Sequence, residues 1–507
     1  MVKPKERNQK WIRIILYATV AFFGLLLCSK CSPLYPTNDW LDVNCYFTVG
    51  KSWMHGIIPY RDLFEQKGPL LYLIYGIGSL FSRTSFLGIF VIEIIAFTIY
   101  LYYCDKIIRL YEKGKYAFPL ILLISGFSLA SISFRFGGST EELCLPFIAI
   151  GMYHLLHYIK QNPKEMMSGK LLFLNGVFAG CIFMMKYTML GFHFAWMLVL
   201  LLRMLSKKQY KQMIKSSLIF LGGMLSIFGI FCLYFLLVGG LKDFIDVYFI
   251  INLTTYPKGG PLLDKLQLAF RIFSRQLTTN FFLCNLIVIG LIYFIGSKRL
   301  MKEKWEKIAL FTTFFFLAFS TYIGGQPWLY YFFIITFFSL FGLIAIVDII
   351  KEKEPNTTSR TYPIVVILCI AIAFLCFTHS PNHEAIHIKK EELVQYRFAR
   401  IMNQSSDNSL LNYDALDSGF FFFTDSYPTT KYFIRCNIDY TRFPDMLDDQ
   451  RHAIATKKTN FVIVREGKKN QGYRTTIPYL EENYQLISDQ YEKIGDDKYH
   501  YYLYERK

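Results

Sequence analysis

Four catalytic signatures are missing from this 507-residue chain: it has no GxxxxGK[ST] phosphate loop, no GxGxxG turn, no GxSxG elbow and no HExxH helix. Their absence weakens nucleotide hydrolysis, hydride transfer, serine hydrolysis and zinc proteolysis in turn. No segment repeats itself at a period of about 20 to 50 residues, which counts mildly against transporters built on inverted repeats. Eleven cysteines are present, yet they form no disulfide framework. Most, such as Cys104, Cys144, Cys181, Cys232, Cys284, Cys369 and Cys376, lie in apolar runs where a thiol packs as a small residue, and Cys436 is alone near the end of the chain. Cys28 and Cys31 form a CxxC without a second pair or a thioredoxin-like context, so redox or zinc chemistry has little to rest on.

What the chain has instead is apolar length. Hydrophobic residues make up 53% and aromatics 18%, and the mean hydropathy is +0.30; these values arise from repeated apolar runs of about 18 residues or more, the mark of a polytopic membrane protein. About eleven spans are predicted, at 12–29, 86–104, 117–134, 143–159, 170–185, 188–202, 216–238, 281–297, 308–323, 329–350 and 361–378. The apolar segment 68–82 would reach only about 22 Å as a helix, against a hydrocarbon core of about 30 Å, and is read as interfacial or re-entrant. Charge supports that choice. With 68–82 not crossing, the loops at 1–13, 105–116, 160–170, 203–215, 298–307 and 351–360 share one side and hold about 25 Lys and Arg in about 70 residues, against about 10 in about 93 opposite. The N-terminus is therefore expected in the cytosol, its first apolar run retained as a helix rather than cleaved as a signal peptide. The net charge of +17 belongs mostly to those cytosolic loops, which meet anionic lipid, and no nucleic acid is implied.

The densest chemistry lies just after the first span, in the 38 residues from Asp39 to Gly76. Asp39, Asp42, Asp62 and Glu65 supply carboxylates, Lys51, Arg61 and Lys67 supply cations, and Gly56, Pro59, Gly68 and Pro69 turn the backbone. Charge held at a lipid interface is costly and marks a site that handles a charged substrate. Asp62 and Glu65 can equally pair with Arg61 and Lys67 to hold the turns. Further segments on the same predicted side are RFGGSTEE, 135–142, with Arg135, Glu141 and Glu142; Lys186, read either as a snorkelling lysine or as a lipid-phosphate contact; and the 239–280 loop, with an amphipathic stretch carrying Arg271 and Arg275. GGQPWLYYF, 324–332, is read as an aromatic belt in preference to a sugar-stacking platform. His379, His383 and His387, beside Glu384, have metal-like spacing, although Pro381 interrupts it and a solvated linker is the plainer reading.

After about residue 378 the composition turns polar, which predicts two domains: a membrane domain over 1–378, with an outer loop over 31–67, and a soluble extracytoplasmic α/β domain over 379–507. Within the latter, FFFFTDSYPTTKYFI, NFVIVRE and KYHYYLYERK read as strands, and EELVQYRFARIMNQ and TIPYLEENY as helices.

Asp42 followed by Tyr46, Gly50, Gly56 and PYRDLFEQKGPL, with the later RFGGSTEE, resembles the bacterial branch of the GT-C membrane glycosyltransferases, relatives of the protein O-mannosyltransferases and the lipid A aminoarabinose transferase. The resemblance covers roughly Asp39 to Glu142. It implies a GT-C fold and a transferase that passes a sugar from a polyprenyl-phosphate carrier, such as undecaprenyl phosphate, to an envelope glycan, lipid or protein acceptor at the outer face of the cell membrane. It places an acid at the start of the first outer loop, matching Asp42 with Asp39 close by, and a second acid matching Glu141 or Glu142. Many relatives have adjacent Asp and Glu in that loop, whereas Asp39 and Asp42 are three apart, so which is the base stays open. Some relatives also carry a His before the later aromatic pair, where this chain has GGQPWLYY.

The chemistry asks for one carboxylate to deprotonate the acceptor hydroxyl, which with direct displacement gives inversion. The leaving phosphate needs its charge matched, for which Lys67, Arg61, Arg135 and Lys186 are the candidates, with Asp62, Glu65, Glu141 and Glu142 as secondary acids. Carboxylates beside a phosphate suit a Mg2+ or Mn2+ site as well as a base, and the cofactor stays open. Two other classes compete: a lipid-linked saccharide flippase or transporter, which needs charges in mid-span, and an O-antigen-type polymerase or ligase, which places its basic residues in a large late outer loop.

Overall fold

The computed structural model describes residues 4–112, 114–161, 166–256, 261–353, 361–468, 470–494 and 497–507. Parts of the basic loops at 1–13, 105–116, 160–170 and 351–360, and positions 257–260 of the 239–280 loop, lie outside the described residues. Six helices are long and apolar enough to cross a bilayer: Asn8–Cys28, Leu87–Tyr111, Thr140–Lys160, Gly169–Met189, Tyr210–Leu237 and Leu329–Lys351. Leu263–Thr279 and Phe281–Gly296 pass the same test together and meet at 106°, which makes up to seven. Each of the remaining predicted spans falls on a helix as well: Ala117–Leu129, Gly191–Ser206, Lys304–Tyr322 and Tyr362–Thr378. The protein is an integral membrane protein, and length and composition alone count six or seven crossings among the described helices where hydropathy reading counts about eleven.

Contacts gather the chain into two units. One comprises Met1–Ser32, Phe90–Ile230 and Gly259–His383, and the other Pro33–Ile89, Phe231–Lys258 and Glu384–Lys507. The first is helical, and the second joins the loop after the first span to the polar C-terminal segment. Inside that second unit the Phe64 N–H donates to the Lys431 carbonyl at 2.8 Å, the Thr48 hydroxyl to Asp417 Oδ2 at 2.6 Å, and Phe86 stacks on Phe422 with centroids 4.6 Å apart.

The C-terminal segment builds a four-stranded sheet in the order β1-β2-β4-β3. β1 (Leu410–Tyr413) runs parallel to β2 (Phe461–Glu466), while β4 (Asp497–Arg506) is antiparallel to both β2 and β3 (Tyr484–Ile494). Phe461 to Val464 are all buried, a continuous apolar run as expected of a central strand covered on both faces. The Asp445–Ala455 helix contributes Leu447, Ala453 and Ile454 to a core shared with Leu411, Val462 and Tyr504. β2, β4 and the Val394–Met402 helix lie where the sequence predicts them. FFFFTDSYPTTKYFI does not form a strand: Phe420–Phe423 is one helical turn following Gly419 at φ +96°. Four consecutive phenylalanines have no period, so helix and strand were equally open to them, and the left-handed glycine sets the turn.

Helix Leu41–Met54 crosses helix Pro69–Phe81 at a point where both carry glycine. A Cβ on Gly50 would fall 2.5 Å from the Gly76 nitrogen, and one on Gly76 would fall 2.9 Å from the Gly50 carbonyl oxygen, so only glycine admits this approach. Pro69 starts the second helix at its first turn. Its 13 residues span about 20 Å, too short for a straight crossing.

Candidate functional site

In the second unit, the carboxylate of Asp42 sits in the first turn of Leu41–Met54, where the helix dipole favours negative charge. The start of that helix is set by Asn38, whose side-chain oxygen accepts the Trp40 N–H at 3.1 Å, and by Asn44, whose amide donates to the Asn38 and Trp40 carbonyls. One turn on from Asp42, the Tyr46 hydroxyl donates to Asp42 Oδ2 at 3.2 Å. Lys67 Nζ lies 4.0 Å from the same oxygen and 5.4 Å over the Tyr46 ring, with both charged side chains 22% exposed. Asp39 lies ahead of the helix start and is exposed. Its field adds to burial in raising the carboxyl of Glu492, which is pushed up to about 7.

Lys67 is held by its backbone. Its N–H donates to Glu65 Oε2 at 2.9 Å, its carbonyl accepts the Tyr60 hydroxyl at 2.6 Å, and Glu65, itself buried, also accepts the Tyr72 hydroxyl. The loop before it turns through Tyr60 in the left-handed region, φ +69°. Asp62 accepts the Ile58 N–H at 2.8 Å and is clasped by Arg61 at 2.8 and 2.9 Å; the guanidinium also donates to the Val238 carbonyl at 2.6 Å. The Arg61–Asp62 hydrogen bonds hold the Asp62 carboxyl below its ordinary value. Arg61 and Asp62 thus brace the turn, while Glu65 aims Lys67.

The first unit holds the other acids. Gly137 and Gly138 both take positive φ, +84° and +75°, and Ser139 caps Thr140–Lys160 by accepting the Glu142 N–H at 3.0 Å. The Gly138 N–H is shared by Glu93 Oε1 at 2.6 Å and Glu142 Oε2 at 3.0 Å, and the Ser29 hydroxyl bridges both oxygens of Glu93 at 2.9 Å. Arg135, at φ +63°, lies exposed over Phe136, and its carbonyl accepts the Asn382 amide. Glu141 pairs with Lys186 at 2.5 Å, with side-chain exposures of 1% and 8%. Lys186 Nζ lies 3.3 Å from the Tyr331 ring centroid and 5.4 Å from that of Tyr330. Lys186 therefore does not snorkel, because a carboxylate and an aromatic face satisfy it inside. Tyr330 and Tyr331 are likewise buried rather than presented as a belt. Glu141 Oε2, Glu142 Oε1, the Thr140 hydroxyl and the Tyr322 hydroxyl are buried without a hydrogen-bond partner among the described residues.

Tyr322 and Tyr72 were missed by sequence reasoning, since a tyrosine in an apolar run gives no signal of which way its hydroxyl points. Tyr46 carried one, standing i+4 from Asp42 on a helix. Among the described residues no three His, Cys, Asp or Glu gather as a metal-holding group; His383–His387 forms a 3-10 turn, which does not stack side chains at i+4.

The helical architecture has the fold of the GT-C membrane glycosyltransferases. The structure is similar to that of ArnT from Cupriavidus metallidurans bound to undecaprenyl phosphate, with TM-score 0.58 and 10% identity over 98% of each chain. It is similar also to ArnT from the same organism in the apo state, with TM-score 0.57, 10% identity and 98% of each chain covered. No family model matches the chain, and neither does any curated protein sequence.

Proposed function

We infer that the protein is a glycosyltransferase that takes a sugar from a polyprenyl-phosphate carrier, such as undecaprenyl phosphate, and passes it to a hydroxyl acceptor of the cell envelope. The observation that carries this reading is the Asp42–Lys67 pair, half-open and 4.0 Å apart, each partner held by a separate device. Asp42 takes the proton of the acceptor hydroxyl as its oxygen bonds to the anomeric carbon. The bond from that carbon to the carrier phosphate breaks on the opposite face, giving inversion, and the proton stays on Asp42. Lys67 matches the charge growing on the leaving phosphate. Asp42 is preferred to Asp39 as the base because Tyr46 and Lys67 converge on it. Arg61, Asp62 and Glu65 serve as bracing and aiming residues in this reading. The fold likeness to ArnT bound to undecaprenyl phosphate supports a lipid-linked donor.

In the other unit, the unpartnered oxygens of Glu142, Thr140 and Tyr322 support binding of a ligand rich in hydroxyl groups, with Arg135 as its cation, while Lys186 stays paired with Glu141. Eleven crossings, a cytosolic N-terminus and an outer C-terminal domain complete the proposal, on the charge bias of the loops. A Mg2+ or Mn2+ ion is not needed for any step assigned to these residues. Glu93, one of the few acids well inside a span, is engaged by Ser29 and Gly138, which counts against a flippase.

The test is transfer from labelled undecaprenyl-phosphate sugars by the purified protein in lipid. Turnover by the wild type, lost in Asp42→Asn with donor binding kept, supports the mechanism. Undiminished transfer in both Asp42→Asn and Asp39→Asn sinks it, and carrier-linked saccharide movement without transfer moves the reading to a flippase.

A further inference from the structure

A second cluster of cations lies in the second unit, at the opposite end of Leu41–Met54 from Asp42. Lys51, in the last turn of that helix, is 2% exposed by side chain and donates to the Phe421 carbonyl at 3.0 Å and to Asp425 Oδ1 at 3.3 Å. Arg83, just beyond the end of Pro69–Phe81, reaches the same carboxylate at 3.2 Å. Asp425 therefore answers two cations with one carboxylate, and the buried Asp417, which accepts the Thr48 hydroxyl, also acts on Lys51. The Tyr427 ring gathers the group: His55 stacks on it with centroids 4.2 Å apart and planes within 8°, and Lys51 and Arg83 lie 5.2 and 5.4 Å from its centre. Together they line a pocket of about 410 Å3.

The rim of this pocket has a different character. Leu80 and Phe81, the last residues of Pro69–Phe81, line it while remaining 70% and 65% exposed. In a membrane protein, large apolar side chains left open beside a basic cluster mark the level at which acyl chains meet headgroups. A phosphate oxygen suits the donors of Arg83 and Lys51, and a hydrocarbon tail suits Leu80 and Phe81. Neither feature takes part in the chemistry assigned to Asp42 and Lys67.

We propose that the Lys51–His55–Arg83–Tyr427 pocket is a binding site for the phosphate of an anionic lipid, whose chain lies over Leu80 and Phe81. The site stands on its own residues and does not depend on the transferase reading.

Native mass spectrometry of the full-length protein, released from micelles loaded with equal phosphatidylglycerol and phosphatidylcholine, tests it. The wild type should retain one phosphatidylglycerol in preference to phosphatidylcholine, and Arg83→Gln should lower that retention about tenfold, the worth of one charge-assisted hydrogen bond. Leu80→Gln with Phe81→Gln should lower it as well, while leaving the charge cluster intact. Melting temperatures of the variants separate loss of binding from loss of fold. Equal retention of the two lipids by the wild type, or phosphatidylglycerol retention unchanged in a folded Arg83→Gln, overturns the proposal. Displacement of the lipid by glycerol 3-phosphate at equal concentration also overturns it, because the pocket would then take a water-soluble phosphate and the apolar rim would contribute nothing.

Discussion

Two lysine–carboxylate pairs, one in each unit, are built in opposite ways. Lys67 and Asp42 stand 4.0 Å apart, each 22% exposed, with the lysine aimed by its backbone and the acid by a tyrosine. Lys186 and Glu141 are closed at 2.5 Å, 8% and 1% exposed, and roofed by Tyr331. The open pair keeps lone pairs and protons available to a substrate at little cost in desolvation. The closed pair has given up solvent, and each partner now depends on the other. An open pair should fail in catalysis when broken, and a closed pair should fail first in folding.

The largest expected effect follows from the open pair. Asp42→Asn keeps the size and the Tyr46 contact but removes the base, and turnover should fall about 10^2- to 10^4-fold with donor affinity retained, as read by transfer and by binding of labelled carrier. Asp39→Asn should stay within about twofold, since Asp39 is exposed ahead of the helix start while Tyr46 and Lys67 converge on Asp42. A larger loss in Asp39→Asn than in Asp42→Asn would reverse the assignment.

The closed pair should respond in stability. Glu141→Gln removes the carboxylate that pairs with the buried Lys186, which costs about 3–5 kcal/mol, and should lower the melting temperature steeply. The double variant Glu141→Gln with Lys186→Met should recover most of that loss, because the stranded charge goes with it. If Glu141→Gln melts like wild type yet no longer transfers sugar, the contrast between the pairs fails and Glu141 belongs to the chemistry.

Lys67→Gln sharpens the same contrast with a smaller effect. It should weaken donor binding about 10- to 100-fold, the worth of one charged hydrogen bond, while the melting temperature shifts little because the lysine is partly exposed.

How far the sequence could be read follows the same division. Every predicted span falls on a helix, since an apolar run in a bilayer has few alternatives to helix. The first-loop acids and Lys67 were visible because charge and turn formers beside a membrane are conspicuous. What was hidden depends on pairing at long range. Lys186 looked like a snorkelling residue because its partner Glu141 is 45 positions away. The sequence also did not show that the helix starts at Leu41, which puts Asp42 on a turn with Tyr46 and leaves Asp39 outside it. β1 and β3 were missed because the four-residue LLNY is too short to show a period and YQLISDQYEKI alternates imperfectly around a bulge between Leu486 and Ser488.

The C-terminal sheet offers a pH test. Glu492, largely buried beside Gln395 on β3, is pushed up to about 7 by burial and then by Asp39. A carboxyl raised above its unfolded value near 4.5 holds its proton more tightly when folded. Its contribution is therefore present at low pH and lost as pH rises through about 7. Melting temperature should fall between pH 5 and pH 8, by the equivalent of about 2 kcal/mol from this group, and Glu492→Gln should flatten the fall.

The smallest effect belongs to the pair that only braces. Arg61 and Asp62 are 40% and 34% exposed by side chain, and their bond lowers the Asp62 carboxyl. A depressed acid has the opposite sign to Glu492: its contribution is complete above the unfolded value and disappears as pH falls through the folded one. Solvent screening keeps it small, so Asp62→Asn should cost less than about 1 kcal/mol and leave transfer within a few-fold of wild type. The Ile58 N–H would still find the asparagine oxygen, and the turn that presents Lys67 should persist. A loss of transfer in Asp62→Asn as deep as that in Asp42→Asn would show that the loop has two working carboxylates, and the single-base, inverting scheme would give way to one using both.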